Sequence, residues 1–235
     1  MTTGRLKDRI ALVTGASRGI GRAVAKRFAE EGAHLILTAR TQGALEELDD
    51  EIRELGGAAT LVPTDLTDFA AIDGMGAAVF ERFKRLDILV GNAAILGTLS
   101  PLGHIDPKTW DQVMAINLTA NWRLIRSFDP LLKASSSGRA IFVTSGAAEN
   151  TAYWGGFAVS KAALETLVKV YAAELAKTPV RANLVDPGPV RTALRASAFP
   201  GEDPMTLKAP ESVTGVFVDL AEAACARNGE VVRAG

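Results

Sequence analysis

Short aliphatic runs alternate with longer stretches of helical period along the whole chain. Ile10–Thr14, His34–Ala39, Ala59–Pro63, Asp87–Gly91, Ala140–Thr144 and Val180–Val185, with a weaker run at Glu230–Arg233, predict strands. Several are continuously apolar rather than alternating, as expected of a parallel sheet covered on both faces. Between them, apolar positions recur at helical spacing: Leu45, Leu48, Ile52 and Leu55 share one face of Ala44–Leu55, with acids opposite. Gly32 and Gly56-Gly57 punctuate helix ends. Repeated strand–helix alternation predicts a single-domain, doubly wound (Rossmann) α/β sheet of about seven strands, flanked by helices on both faces. No repeat or composition break divides residues 1–235, and the Ala- and Pro-rich stretch Arg191–Pro210 is expected to form a flexible surface flap over substrate.

Composition narrows the function. The 235 residues carry 26 Lys+Arg against 27 Asp+Glu, a net charge of −1, and 48% are hydrophobic. That is an ordinary globular composition, without the basic excess of a general nucleic-acid binder. The one cysteine, Cys225, closes no disulfide within the chain, and with only two histidines, His34 and His104, it makes a poor zinc set. Met1–Arg9 is polar and lacks the apolar core of a signal peptide, and the uncharged run Ile88–Ile105 is broken by Asn92, Ser100-Pro101, His104 and glycines. The expectation is a soluble cytoplasmic protein that contacts neither nucleic acid nor membrane.

Candidate chemistry begins at the end of the first strand. Thr14-Gly15-Ala16-Ser17-Arg18-Gly19-Ile20-Gly21 leads into a helical pattern at Arg22–Glu31. Glycines there let the backbone turn sharply and let a pyrophosphate approach, and the amides of a helix N-terminus hold the anion. A glycine turn alone serves many folds; its place between the first strand and first helix of an α/β alternation points to a dinucleotide. The end of the second strand reports which one. An Asp or Glu there would bond a ribose 2′-OH, yet residues 33–42 contain no acid, and Arg40 stands at the strand's end with Arg18 in the glycine turn. Two guanidinium groups suit a 2′-phosphate, so NADP(H) is preferred and NAD(H) remains possible; the alternative is two solvated surface arginines.

With these motifs the chain resembles the short-chain dehydrogenase/reductase family over about residues 7–233. Thr14, Gly15, Gly19 and Gly21 match the family's Thr-Gly-x-x-x-Gly-x-Gly turn, and Asp65, followed by Leu66, matches the acid that bonds adenine. Gly91-Asn92-Ala93-Ala94 keeps the middle two positions of Asn-Asn-Ala-Gly. Asn117, Ser145, Pro187-Gly188 and Thr192 match the helix asparagine, the fifth-strand serine, the Pro-Gly turn and the threonine beside the nicotinamide amide. The resemblance implies cofactor contacts from Gly15, Ser17, Arg18, Gly19, Ile20, Gly21, Arg40, Asp65, Leu66, Asn92, Ala93, Lys161, Pro187, Gly188 and Thr192. It also implies catalysis of hydride exchange between nicotinamide and a small carbonyl or alcohol substrate by Asn117, Ser145 and Lys161. Family members pair the helices corresponding to Asp106–Ala134 and Tyr153–Ala176, implying a homodimer or homotetramer.

One position departs from the pattern. The family signature is Tyr-x-x-x-Lys, and this chain reads Phe157-Ala158-Val159-Ser160-Lys161. Carbonyl reduction leaves an alkoxide that needs a proton; in the family a phenol supplies it, its pKa lowered from about 10 by the lysine ammonium. Four-residue spacing stacks positions 157 and 161 on one helix face, but Phe157 has no proton to give. Of the two tyrosines, Tyr171 lies ten residues past Lys161, about 15 Å along a helix. Tyr153 shares the face if the helix extends back through Gly155-Gly156; otherwise Tyr153 and Trp154 wall a substrate pocket or simply pack. Water held by Ser145 and Lys161 is a third donor. Asn117 is read as ordering a relay water or as a plain helix residue, Asp65 as an adenine contact or a helix cap, and His34, His104 and Cys225 as structural. Two functions follow: an NADP(H)-dependent oxidoreductase impaired by Phe157, or a catalytically silent dinucleotide-binding sensor or scaffold.

Overall fold

Seven parallel strands lie in the order β3-β2-β1-β4-β5-β6-β7 in a computed structural model that describes residues 4–149 and 151–234. They are β1 (Ile10–Thr14), β2 (His34–Thr38), β3 (Ala58–Leu61), β4 (Ile88–Gly91), β5 (Arg139–Val143), β6 (Arg181–Asp186) and β7 (Val231–Arg233). Each coincides with a predicted strand, its ends moved by at most two residues. The inner strands β1, β4 and β5 are buried along their whole length, which is why they are apolar apart from Thr14 at the end of β1 and Arg139 at the start of β5, whereas β3 and β7 sit at the edges and are partly exposed.

Helices cover both faces. On one, α1 (Gly19–Glu30), α2 (Gln42–Glu54) and α8 (Thr214–Ala221) pack Val24, Phe28, Leu45, Leu48 and Phe217 onto Val13, Leu35, Val90 and Ile141. On the other, α3 (Phe69–Phe83), α5 (Ala120–Ala134) and α6 (Gly155–Glu174) bring Ile72, Leu124, Phe128, Leu164 and Val168 against Leu12, Ile36, Leu89 and Phe142. Alternate residues of one strand thus feed two cores, as the period-two geometry requires. The chain order reverses between β1 and β4, so the carboxyl ends of those strands diverge and leave a crevice.

Three stretches differ from expectation. α1 begins at Gly19, so the helical pattern read from Arg22 starts one turn early and the second and third turn glycines are its first residues. The predicted Asp106–Ala134 segment is a rod in three parts: α4 (Pro107–Met114), capped by Asp106 Oδ2 accepting from Thr109 N at 2.9 Å, a π-helical turn over Ala115–Thr119, and α5. The expected flap contains its own short helix, α7 (Ala193–Ala198), and is joined at its ends by a bridge between Val190 and Lys208.

Candidate active site

The tops of β1 and β4 are tied together by two side chains. Thr14 Oγ1 donates to the Val90 carbonyl at 3.2 Å and accepts from the amides of Asn92 and Ala93 at 2.9 and 3.1 Å. Asn92 Nδ2 donates to the carbonyls of Thr14 and Gly15 at 2.9 and 3.3 Å. Gly15 has φ +64°, and a Cβ there would come within 2.9 Å of Ala93 Cα. Gly21 does not line the cleft; a Cβ there would sit 2.4 Å from the Gly15 carbonyl oxygen, so its smallness lets α1 pack beneath the turn. Ser17, Arg18, Gly19 and Ile20 do line it, at the start of α1, where the first-turn amides have no intrahelical partner. Thr192 Oγ1 caps α7 by accepting from Arg195 N at 3.2 Å, and its methyl roofs Gly19.

These residues open onto a cleft of about 880 Å³ at the carboxyl ends of the strands. At one end lie Arg18, Arg40, Asp65 and Leu66. Neither arginine has an ion-pair partner among the described residues, whereas Arg22 and Lys26, farther along α1, are held by Glu51 at 2.8 and 3.0 Å. Asp65 Oδ1 accepts from the amide and hydroxyl of Thr67 at 2.9 and 2.8 Å; those bonds, with Arg40 adding to them, hold its pKa below the usual carboxylate value. The cap of α3 is Asp68, accepting from Ala71 N at 3.0 Å, so the helix-cap alternative for Asp65 falls away.

The other end is formed by β5, α6 and the flap. Ser145 follows β5 and lines the cleft, its Oγ accepting from Ala147 N at 3.3 Å. Pro187 and Gly188 face it across a turn fixed by Asp186 Oδ1, which accepts from Gly188 N at 3.0 Å. Lys161 is buried, with Nζ donating to the Val143 carbonyl at 2.6 Å and lying 5.8 Å from the centre of the Phe157 ring. Burial alone pulls its pKa down to about 8. Phe157 is 3% exposed and stacks obliquely on Trp154, which meets Phe199 of the flap, both pairs 5.8 Å apart. Arg195 lies over Phe199 at 3.7 Å and grips Glu202 with two bonds of 2.7 and 2.6 Å.

Both tyrosines are out of place for proton transfer. Tyr153 precedes α6 with φ +69°, is 68% exposed and does not line the cleft, so only Trp154 of that pair walls the pocket. Tyr171 donates to Asp129 Oδ1 at 2.9 Å on the far side of α6, and burial, reinforced by Asp129, pushes its phenol far above the ordinary value. Asn117 is also absent from the cleft lining. Its Oδ1 accepts from Ile95 N at 2.9 Å and its Nδ2 donates to the Ile95 carbonyl at 2.9 Å and Ser160 Oγ at 3.0 Å; Ser160 in turn donates to the Phe157 carbonyl at 2.8 Å. The π-helical turn therefore staples the loop after β4 to the first turn of α6.

Sequence reasoning missed Ser160, Phe199, the Arg195–Glu202 pair and Arg191, which also lines the cleft. Only Ser160 carried a signal, as a hydroxyl one residue before Lys161. It also left the first position of Gly91-Asn92-Ala93-Ala94 unexplained: a Cβ at Gly91 would meet the Phe142 ring at 2.3 Å and Asn121 Oδ1 at 2.5 Å. Asn121, whose Nδ2 donates to the Asn117 carbonyl at 2.8 Å, occupies the space a larger residue would need. His34 shares a 3.0 Å contact with Thr60, His104 is exposed, and no metal-binding cluster occurs among the described residues. None of the described helices is long and apolar enough to cross a membrane.

Comparison with known proteins gives the same outline. The short chain dehydrogenase family profile matches residues 9–203. The uncharacterized oxidoreductase YciK of Escherichia coli is 36% identical over 219 residues, 92% of this chain and 86% of the relative. A short chain dehydrogenase from Shigella flexneri complexed with NADP superposes with a TM-score of 0.95 at 35% identity, over 99% of both chains. One from Escherichia coli complexed with NADPH superposes at 0.93 with 34% identity, over 100% of this chain and 99% of that one. Strand order, glycine turn and these likenesses converge on one conclusion: the chain belongs to the short chain dehydrogenase family.

Proposed function

We propose that this protein binds NADP(H) in the large cleft and exchanges hydride between nicotinamide and a small carbonyl or alcohol substrate, at a rate limited by the missing acid at Phe157. The observation that carries this reading is Lys161 and Ser145 set on one cleft with a glycine cradle and two cations that have no ion-pair partner among the described residues. The residues fit the cofactor: the first turn of α1, with its unpartnered amides, opens onto the cleft at Ser17, Arg18, Gly19 and Ile20, and Arg18 and Arg40 line the same cleft where a 2′-phosphate would lie. The nicotinamide supplies the hydride when bound. Ser145 donates its hydroxyl to the substrate oxygen, and Lys161 holds the ribose and supplies positive charge beneath that oxygen. Phe157 and Trp154 exclude water from one side of the substrate space. Asn117 and Ser160 position α6 rather than touch substrate.

The Lys161 ammonium, through Ser145 or a water, is then the remaining proton source. The test is NADPH oxidation against a panel of carbonyl compounds by the unmodified chain and by Phe157→Tyr; no turnover from either, with NADPH bound, overturns hydride transfer. One observation favours a second reading, a silent cofactor sensor: among the described residues no tyrosine lines the cleft. Strong turnover by the unmodified protein excludes it.

The flap at 191–210 closes over substrate, held by Phe199 on Trp154. Limited proteolysis is expected to cut this segment more slowly with NADPH present, and equal rates would refute closure. Trp122, Val159 and Val170 leave apolar surface exposed on α5 and α6, which suits a symmetric homodimer or homotetramer in the cytoplasm. Light scattering is expected to give at least twice the chain mass; a monomeric mass overturns the assembly.

A further inference from the structure

Where β1, β4 and β5 begin, at the opposite end of the sheet from the cofactor cleft, a second cleft of about 540 Å³ opens. Its lining contains four cationic side chains, Arg5, Lys7, Arg9 and Arg85, and two carboxylates, Asp8 and Asp87. Only Ala134 and Ala223 are apolar among its lining residues, so nothing in it favours a greasy ligand. Arg5 is committed to Asp219 and Glu222, while Lys7 has no ion-pair partner among the described residues.

Arg9 is the informative residue. It is 7% exposed, and its Nη2 donates to the carbonyls of Asp87 and Ser137 at 3.0 and 2.5 Å. Its Nε and Nη1, both buried, have no hydrogen-bond partner among the described residues. The nearby carboxylate cannot serve them: Asp87 Oδ2 accepts from Ile10 N at 2.9 Å, Oδ1 accepts from Ser135 Oγ at 2.5 Å, and both face Arg85 Nε at 3.2–3.3 Å. Burial, with Arg139 and Arg85 adding to it against Asp87, pulls the Arg9 guanidinium down to about 10. A buried guanidinium short of acceptors is costly, and an anion within reach of its field removes much of that cost. Arg139, just beyond, shows the contrast: its guanidinium is spent on the carbonyls of Gly138, Pro179, Glu222 and Ala223.

We propose that this cleft binds a small phosphate-bearing ligand, held by Lys7 and Arg85 together with the hydroxyls of Ser136 and Ser137, above the buried charge of Arg9. A phosphate monoester carries close to two negative charges at neutral pH, and its oxygens accept from ammonium, guanidinium forks and hydroxyls alike. The site is independent of the hydride chemistry, so its test needs no turnover.

Inorganic phosphate and pyrophosphate are titrated calorimetrically into the full chain at constant ionic strength, with chloride as the control. Saturable binding is expected, weakened about tenfold or more by Lys7→Gln with Arg85→Gln. Arg18→Gln with Arg40→Gln, in the other cleft, leaves this binding in place. Because Arg85 supports Asp87, the exposed Lys7→Glu alone serves as a second variant, and it too is expected to weaken binding. Binding no stronger than chloride's, or binding undiminished by Lys7→Glu but abolished by the Arg18 and Arg40 changes, overturns the proposal.

Discussion

Phe157→Tyr is expected to raise NADPH-dependent carbonyl reduction by about 10²–10⁴-fold, the usual worth of a positioned general acid, or roughly 3–5.5 kcal/mol of barrier. The geometry supports a rise of this size. Phe157 lies on the cleft face of α6 with the Lys161 ammonium 5.8 Å from its ring centre, so a hydroxyl added at the ring's para position extends from a ring already packed on Trp154. The backbone need not move, because Ser160 and Asn117 fix the first turn of α6 through the Phe157 carbonyl. The pH profile separates the donors. In the unmodified protein the proton comes from a lysine whose pKa lies at about 8, so the reduction rate is expected to be level below that pH and to fall as pH rises through it. In Phe157→Tyr the same deprotonation removes the positive charge that lowers the phenol's pKa, and the fall moves to higher pH as the phenol takes over the proton transfer. A rise in rate of less than threefold, with NADPH affinity unchanged, would mean that the substrate oxygen does not approach position 157 at all.

The layered sheet was legible because burial on both faces forces continuous apolar strands, and a helix packed on one face must repeat its apolar positions every three to four residues. Boundaries were less legible where side chains break the simple rule that charge faces water. Arg139 opens β5 although it is charged, since its guanidinium finds four carbonyls at the sheet's end. Gly19 and Gly21 begin α1 although glycine disfavours helices, because close approach to Gly15 and Thr192 outweighs propensity there. At the site, spacing along the chain found the residues that reach the cleft from strand ends, since strand ends have fixed places in this topology. It could not tell Asn117 the relay residue from Asn117 the staple. That distinction depends on where Ile95 and Ser160 come to lie, 22 and 43 residues away. Nor could it place Phe199 on Trp154, because the path of the flap is set by tertiary contacts rather than by periodicity.

Replacing both Arg18 and Arg40 by glutamine is expected to weaken NADPH binding by roughly 10²–10⁴-fold while leaving NADH binding within about threefold, since each charge-assisted bond is worth about 1.5–3 kcal/mol. The two arginines line the same end of the cleft and have no ion-pair partner among the described residues, so their removal breaks no internal ion pair. Arg40 also contributes to holding Asp65 in its ionised form, and the Thr67 bonds, the larger cause, remain when Arg40 is replaced. Any loss therefore reports the 2′-phosphate and not a collapsed adenine pocket. Salt gives an independent reading: NADPH affinity is expected to fall more steeply than NADH affinity as ionic strength rises in the unmodified protein, and the two slopes are expected to converge in the double variant. Arg40→Asp carries the argument one step further, because a carboxylate at the end of β2 accepts from a free ribose 2′-OH and repels a phosphate in the same place. That single change is expected to reverse the cofactor preference. Equal losses of NADPH and NADH affinity in the glutamine variants would show that the arginines hold the pyrophosphate common to both cofactors, and the assignment of NADP(H) would then have to rest on other residues.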